Sequence, residues 1–198
     1  MDFEWALRPI TKSSLRTSDS PITNEDKKYE REWGNVQINS TSDNGNWTTK
    51  LGEGLVKKLF ERTGTKIWKP ERKNGIEPDW ETDDYIIEVK TRNWTTTGTA
   101  GEKVLGVPYK YSDVPELYGK PLLIVCIAYQ EWELTHVDKM KIFGDNLSKN
   151  KKLQKKMWSD MDIHYVPFSR LFKDFTPIMN NEHTKVGGGK ETIVGEVE

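Results

Sequence analysis

Hydrophobic residues recur along this chain with two different periods, and each period predicts a different kind of element. In residues 47–63, Leu51, Leu55 and Leu59 recur every four positions, which is typical of a helix with one buried face. Gly64 follows directly, and glycine commonly ends helices. The first long element is therefore predicted to be an amphipathic helix.

Residues 84–91 instead alternate between polar and apolar side chains, which predicts a β-strand. Side chains two positions apart share a face of a strand, so Glu88 and Lys90 are expected to stand side by side. The opposite face carries the side chains directed to the core, which are Tyr85, Ile87 and Val89. Residues 121–129 form an unbroken apolar run, which predicts a central strand covered on both faces.

Shorter elements are predicted around these. The further strands are 65–69, 76–81 and 162–167, and the further helical segments are 102–105, 135–160 and 169–175. The resulting order is a helix, a meander of strands, a central strand, a long helix and a last strand. This order predicts an α/β fold with a mixed β-sheet flanked by helices.

Composition divides the chain into three regions. Residues 1–46 are polar and rich in Ser, Thr, Asn and Asp, which predicts an irregular arm or a set of short recognition elements. Residues 47–178 hold the predicted core, and residues 179–198 are predicted to be a loose tail. The total of 198 residues fits one domain.

Charge and cysteine content limit the function classes. The net charge of −1 gives no global basic signal, so any contact with nucleic acid must come from local patches. The single Cys126 lies in an apolar run, which predicts a cytoplasmic chain without disulfides. No apolar run approaches the roughly 18 residues of a membrane span, so no membrane partner is expected. Three His and one Cys are too few to build an HNH finger or a zinc ribbon.

Candidate chemistry is concentrated in Pro78-Asp79 and Glu88-Val89-Lys90. A hairpin through residues 81–84 would bring Asp79 beside Glu88. Two carboxylates and a lysine at one point can hold Mg²⁺ and activate a water against a phosphodiester, with the Val89 carbonyl as a further oxygen ligand. A half-exposed strand also alternates charged and apolar residues, so Glu88 and Lys90 alone would equally fit a solvated pair.

The order of these motifs resembles the PD-(D/E)xK nuclease superfamily, which includes type II restriction endonucleases. The resemblance covers roughly residues 48–130 and runs from a helix carrying Glu53 through the two motifs to the apolar strand. It implies a restriction-endonuclease-like core in which Asp79 and Glu88 bind the metal. It also implies that Lys90 orients or activates the attacking water and that Glu53 assists the metal.

What the resemblance implies about function is a sequence-specific cut in double-stranded DNA. The cofactor would be Mg²⁺, with Mn²⁺ as a substitute, and the products would carry 5′-phosphate and 3′-hydroxyl ends. A homodimer is expected, because two sites are needed to cut both strands of a palindrome. Candidate DNA contacts are Arg92, Trp94, Lys103, Tyr109 and Lys110, together with the lysine-rich run 149–156. A solvated surface explains the same lysines.

Two alternatives remain open from the sequence. One is a structure-specific nuclease, such as a Holliday junction resolvase or a repair nuclease, which would read DNA shape. Such enzymes are usually smaller and more basic than this chain. The other is a non-catalytic DNA-binding protein of the same fold, and the intact set of Asp79, Glu88 and Lys90 disfavours it.

Overall fold

A mixed sheet of four strands lies at the centre of the structure, a computed structural model that describes residues 3–11, 22–40, 45–96 and 98–180. The strands are β1 (Trp80–Glu81), β2 (Ile86–Arg92), β3 (Leu122–Ala128) and β4 (Ile163–Pro167), and they lie in that order across the sheet. β1 pairs antiparallel with β2, whereas β2, β3 and β4 are mutually parallel. The predicted α/β fold with a mixed sheet is confirmed.

Helices cover both faces of this sheet. They are α1 (Phe3–Thr11), α2 (Asn24–Gln37), α3 (Trp47–Arg62), α4 (Val107–Lys110), α5 (Val114–Tyr118), α6 (Tyr129–His136), α7 (Lys149–Asp160) and α8 (Phe168–Asn180). A 3₁₀ segment, Gly98–Gly106, precedes α4. The predicted helix at 47–63 is confirmed by α3, and the predicted strand at 84–91 is confirmed by β2.

The apolar strand β3 separates two hydrophobic cores. Leu123, Val125 and Ile127 join Ile87 and Val89 of β2 in one core, which also contains buried residues of α1, α3 and α8. The alternate residues of β3 face a second core formed with the 3₁₀ segment, α4 and α5. All residues of β3 are buried, as the unbroken apolar run predicts.

The predicted strands at 65–69 and 76–81 are largely wrong. The first is reduced to one bridge between Trp68 and Glu81, and the second is an ordered strand only at Trp80–Glu81. Pro70 directly follows the first segment and Pro78 lies in the second, and a proline has no N–H to donate to a ladder. The chain before β1 is therefore held by isolated bridges.

The predicted long helix at 135–160 is divided in two. α6 begins at Tyr129 and ends at His136, and α7 begins at Lys149 behind the N-cap Ser148. The connection between them buries Met140, Ile142 and Phe143 in the second core, an arrangement that a continuous helix would not allow.

Residues 1–46, predicted as an irregular arm or a set of short recognition elements, include the two regular helices α1 and α2. Phe3 and Ala6 of α1 are buried in the first core. Trp5, Trp33 and Trp47 contact one another and so connect α1, α2 and α3. These helices are part of the packed body, so removing residues 1–46 would expose core residues as well as removing any recognition surface. Of the predicted tail, residues 181–198 lie outside the described part of the chain.

Two observations bear on the expectations of no membrane partner and of no disulfides. None of the helices in the described ranges has both the length and the apolar character needed to cross a bilayer. Cys126 is buried as a free thiol.

Candidate active site

β2 and the turn before it bring the two predicted acidic positions together. Trp80 pairs with Ile87, so the antiparallel register continues toward Asp79 opposite Glu88 just beyond the end of β1. Asp79 Oδ2 accepts a hydrogen bond of 2.7 Å from the backbone N–H of Val89. This contact fixes the Asp79 carboxylate at the open edge of β2.

Glu88 and Lys90 stand side by side, as the alternation predicts. The Lys90 ammonium donates to Glu88 Oε1. The side chain of Glu88 is only 5% exposed, whereas that of Lys90 is 30% exposed. Lys90 therefore reaches from a buried carboxylate toward solvent.

Helix α3 carries a further acidic side chain, Glu53, near enough to Asp79 for its charge to be felt there. Gly52 allows this approach, because a Cβ there would lie 1.7 Å from Thr91 Oγ1 of β2. The neighbouring Glu53 is held on both sides: its carbonyl accepts from Trp80 Nε1 at 3.0 Å, and its Oε2 lies 3.3 Å from Lys69 Nζ. Glu53 borders the site with its carboxylate already paired to a lysine.

The electrostatics of the site are unfavourable for the negative charge on Asp79. Burial raises the pKa of Asp79 to about 7, and the charges of Glu88 and Glu53 add to this effect. The Val89 hydrogen bond and the charge of Lys90 oppose it. Near neutral pH, Asp79 is therefore divided between its protonated and ionised forms, and a nearby cation would favour ionisation.

Glu88 presents one buried oxygen, Oε2, that has no well-formed hydrogen bond to the described residues. A buried carboxylate oxygen without a partner costs free energy unless a ligand contacts it. Asp79, whose pKa is raised, lies opposite Glu88 in the strand register, so the two unusual carboxyl groups are neighbours.

The donor set at this edge consists of oxygen atoms. The N–H of Val89 is directed to Asp79, and the carbonyl of a strand residue lies on the same edge as its N–H, so the Val89 carbonyl is expected there too. Two carboxylates and a carbonyl fit the preference of Mg²⁺ for oxygen ligands with several waters retained. In the described ranges no group of three or more His, Cys, Asp or Glu side chains is placed to hold a metal ion, so the carboxylate donors at this edge are two, Asp79 and Glu88.

Tyr111 is a residue of the site that the sequence analysis missed. It is buried, and its pKa is raised first by burial, then by the charge of the Glu88 carboxylate and by the position of the Tyr111 hydroxyl as a donor toward that carboxylate. Lys110 Nζ lies 3.4 Å from the Tyr111 hydroxyl. Tyr111 sits among the buried Val104, Val107 and Val114, so its pattern along the sequence is that of an ordinary core residue.

Three predicted DNA contacts are on the surface. Lys103 and Lys110 are exposed, and the Tyr109 side chain is an unusually open aromatic at 91% exposure. Lys110 connects this surface to Tyr111 and hence to Glu88. Trp94 is half-buried, and its backbone N–H donates to Glu30 at 3.3 Å.

Arg92 does not fit the predicted role in DNA contact. It is buried, its guanidinium forms an ion pair with Glu133, and Nη2 donates to the Thr96 carbonyl at 2.7 Å. Gly101 covers the pair so closely that a Cβ there would lie 2.4 Å from Glu133 Oε2. Because its charge is used inside the protein, Arg92 is better explained as a structural residue that holds the loop after β2.

Comparisons with protein-family models, with curated proteins and with solved structures gave no match. By its fold, the chain is an α/β protein with a four-stranded mixed sheet flanked by helices. Its most distinctive local feature is the edge where Asp79, Glu88 and Lys90 meet.

Proposed function

We propose that this chain is a Mg²⁺-dependent endonuclease of double-stranded DNA with a restriction-endonuclease-like core. The observation that carries the proposal is the pair of adjacent carboxylates, one with a pKa raised to about 7 and the other with a buried oxygen that lacks a well-formed hydrogen bond to the described residues. Both features are relieved by a divalent cation. Lys90, which reaches from Glu88 toward solvent, supplies the third group that phosphodiester hydrolysis needs.

The ligands of the metal would be the Asp79 and Glu88 carboxylates and the Val89 carbonyl. Glu53 would act from the edge of the site, because its carboxylate is paired with Lys69. A bound Mg²⁺ supplies an acidified water and neutralises charge that develops on the phosphate. Mn²⁺ has the same ligand preference and is expected to substitute.

The protein's own groups orient the reactants. The Lys90 ammonium can donate to the attacking water and to a phosphate oxygen while remaining charged beside Glu88. Tyr111 lies near Glu88, and its hydroxyl is placed as a donor toward the Glu88 carboxylate. The exposed Lys103, Tyr109 and Lys110 lie on the segment that leads to Tyr111, where they can contact the DNA backbone.

Cutting both strands of a duplex requires two such sites. We therefore propose a homodimer, whose two-fold axis would match a palindromic target. Sedimentation of the protein with and without a DNA duplex measures this directly, and a monomer in both conditions would contradict it.

The decisive experiment is digestion of a supercoiled plasmid with Mg²⁺, with Ca²⁺ and with excess chelator. Discrete fragments whose ends carry 5′-phosphates are expected with Mg²⁺, and little cutting is expected with Ca²⁺. Asp79→Asn should abolish the fragments, whereas Asp83→Asn, an exposed acid in the following turn, should not. Cutting only of branched DNA would favour a structure-specific nuclease. Binding without any cutting would favour a non-catalytic DNA-binding protein.

A further inference from the structure

A second charged feature lies at the opposite edge of the sheet from the candidate active site. Helix α7 packs against the edge strand β4, and a cavity of about 260 Å³ opens between α7 and the connection from α6. The residues that line it are Leu105, Lys139, Met140, Lys141, Ile142, Leu147, Lys151, Gln154, Lys155 and Trp158. Four of them are lysines and none is acidic.

The lysines of this cavity are not equivalent. Lys139 is paired with Glu102 at 2.7 Å, and the Lys151 ammonium donates to the Asp138 carbonyl. Lys141 and Lys155 are half-buried, and no carboxylate in the described part of the chain pairs with either. Burial and the charge of Arg170 lower the pKa of Lys155. Two half-buried lysines that lack a carboxylate partner in the described part of the chain are suitable surroundings for a bound anion.

Lys151 and Lys155 lie on a different face of α7 from the exposed lysines of that helix. Lys149, Lys152 and Lys156 of the same helix are exposed, and Lys156 is neutralised by Asp160 at 2.8 Å. Only Lys151 and Lys155 turn inward to the cavity. The lysine-rich run therefore contains a solvated face and a second face that is committed to the cavity.

The rest of the cavity wall is apolar and partly aromatic. Met140 and Ile142 are buried in the second core, and the half-buried Trp158 packs on Tyr165 with ring centroids 5.4 Å apart. A ligand that fills the cavity would need an anionic end for the ammonium groups and a flat or apolar part for Trp158. Drug-sized ligands occupy pockets of roughly 300–1,000 Å³, so this smaller cavity suits a single small unit.

We propose that this cavity binds the phosphate and base of one nucleotide, with Lys141 and Lys155 on the phosphate and Trp158 beside the base. Phosphate esters with an attached base are the common biological ligands that combine these two requirements. The nucleotide has two possible sources, which are a free nucleotide and one nucleotide rotated out of a DNA duplex, since a paired and stacked base could not lie beside Trp158. The site is separate from the candidate active site and does not depend on the proposed nuclease activity.

The test is calorimetric titration of the full chain with adenosine 5′-monophosphate, adenosine, inorganic phosphate and sulfate, and with a short DNA duplex in chelator. Lys141→Gln/Lys155→Gln is the test variant. Lys149→Gln/Lys152→Gln is the control, because it removes the same charge from exposed positions. We expect the test variant to weaken binding of the monophosphate, of the duplex or of both by about tenfold or more, and the control to change it less than about twofold.

The two arms identify the source of the ligand. Dependence of monophosphate binding on Lys141 and Lys155 indicates a free nucleotide, and dependence of duplex binding alone indicates a strand. The proposal is overturned if neither ligand depends on these lysines more than on the control pair. It is also overturned if sulfate and inorganic phosphate bind as tightly as the monophosphate, which would make the cavity an unspecific anion site.

A further variant separates the base contact from the charge. Trp158→Leu should weaken binding of the nucleotide and leave binding of inorganic phosphate unchanged. Because Trp158 also packs on Tyr165, thermal unfolding of this variant must show a folded protein before its binding is interpreted. Equal loss for both ligands in a folded variant would contradict the assignment of Trp158.

Discussion

Glu30 and Glu88 are two carboxylates that are equally hidden, each with 4% exposure, yet they have opposite surroundings. Glu30 of α2 accepts hydrogen bonds from the Asn93 side chain at 2.9 Å, from the Trp94 N–H at 3.3 Å and from the Thr95 N–H at 3.2 Å. The Thr95 hydroxyl also donates to it. Glu88 has Lys90 on one oxygen and no well-formed hydrogen bond on the other among the described residues.

This difference separates a carboxylate whose oxygens are used inside the protein from one that would bind the metal in the proposed function. Burial raises the pKa of Glu30, and its hydrogen bonds counteract that effect. It holds the loop after β2 against α2. Glu88 leaves one buried oxygen without a hydrogen bond, as Glu133 does in its pair with Arg92, so the adjacent Asp79 and Lys90 are what distinguish the Glu88 position.

The largest difference between Glu88 and Glu30 is expected in the rate of DNA cleavage. Glu88→Gln should lower DNA cleavage by about a thousandfold or more, because the amide does not supply a charged metal ligand. Glu30→Gln, an equally buried change of the same kind, should leave most of the cleavage of the folded protein intact. The measurement is the initial rate of plasmid cutting at saturating Mg²⁺. Near wild-type cutting by the Glu88 variant would refute the assignment of the site.

The second-largest effect is expected on stability, where Glu30 is the important carboxylate. Glu30→Ala should lower the free energy of unfolding by about 3 kcal/mol, because it leaves several buried N–H and O–H donors without an acceptor. Glu32→Ala on the same helix should change it by less than about 0.5 kcal/mol, because Glu32 is exposed and its contact with Lys28 is a surface pair. Urea unfolding followed by circular dichroism measures both. Similar losses in the two variants would show that the Glu30 contacts contribute little.

The sequence carried the information about the Glu88 site and almost none about the Glu30 contacts. The Glu88 site depends on the alternation along one strand and on a nearby turn, and both are features of neighbouring residues in the sequence. Glu30 meets residues 93–95 across more than 60 positions of sequence, so only the tertiary packing of α2 reveals it. Tyr111 was missed for the same reason, since its closeness to Glu88 is a contact between separate elements.

The same distinction explains which elements were predicted. An unbroken apolar run predicts β3 and an apolar residue at every fourth position predicts α3, and both elements were found where expected. The segment before β1 has good strand-forming residues, but its prolines interrupt the ladder. The burial of Arg92 against Glu133 was hidden, because a basic residue at the end of a strand has the same appearance in sequence whether it faces DNA or a buried acid.

A third effect follows from the raised pKa values of two carboxyls, Asp79 in the site and Glu131 outside it. Each has a pKa of about 7 in the folded protein, against ordinary values of 3.8 and 4.5. Between these values the folded chain binds more protons than the unfolded chain, so stability is complete at low pH and is lost as pH rises through about 7. We expect a loss of about 2 kcal/mol between about pH 6 and about pH 7, because each such group contributes roughly 1 kcal/mol over that interval.

Variants at the two positions assign this loss. Asp79→Asn and Glu131→Gln should each flatten part of the pH dependence of the unfolding free energy. Mg²⁺ should restore stability at about pH 8 in the wild type and in Glu131→Gln but not in Asp79→Asn, because only Asp79 is a proposed ligand. Equal restoration in all three proteins would mean that Mg²⁺ binds elsewhere. Glu131 is a suitable contrast because its carboxylate is occupied by the start of α8, where the Ser169 N–H donates at 3.0 Å.

The smallest effect concerns the contact that brings Glu53 to the site. Gly52→Ala should lower the free energy of unfolding by about 1–2 kcal/mol, because the added Cβ would overlap Thr91 Oγ1 and push α3 away from β2. Gly45→Ala is the matched control, since a Cβ at that position has no atom within 4 Å. If α3 moves, Glu53 moves with it, so cleavage by Gly52→Ala should fall further than its stability alone explains at a temperature where the variant is fully folded. A destabilised variant with unchanged cleavage would show that Glu53 takes no part in the site, and it would leave Asp79, Glu88 and Lys90 as the groups that act.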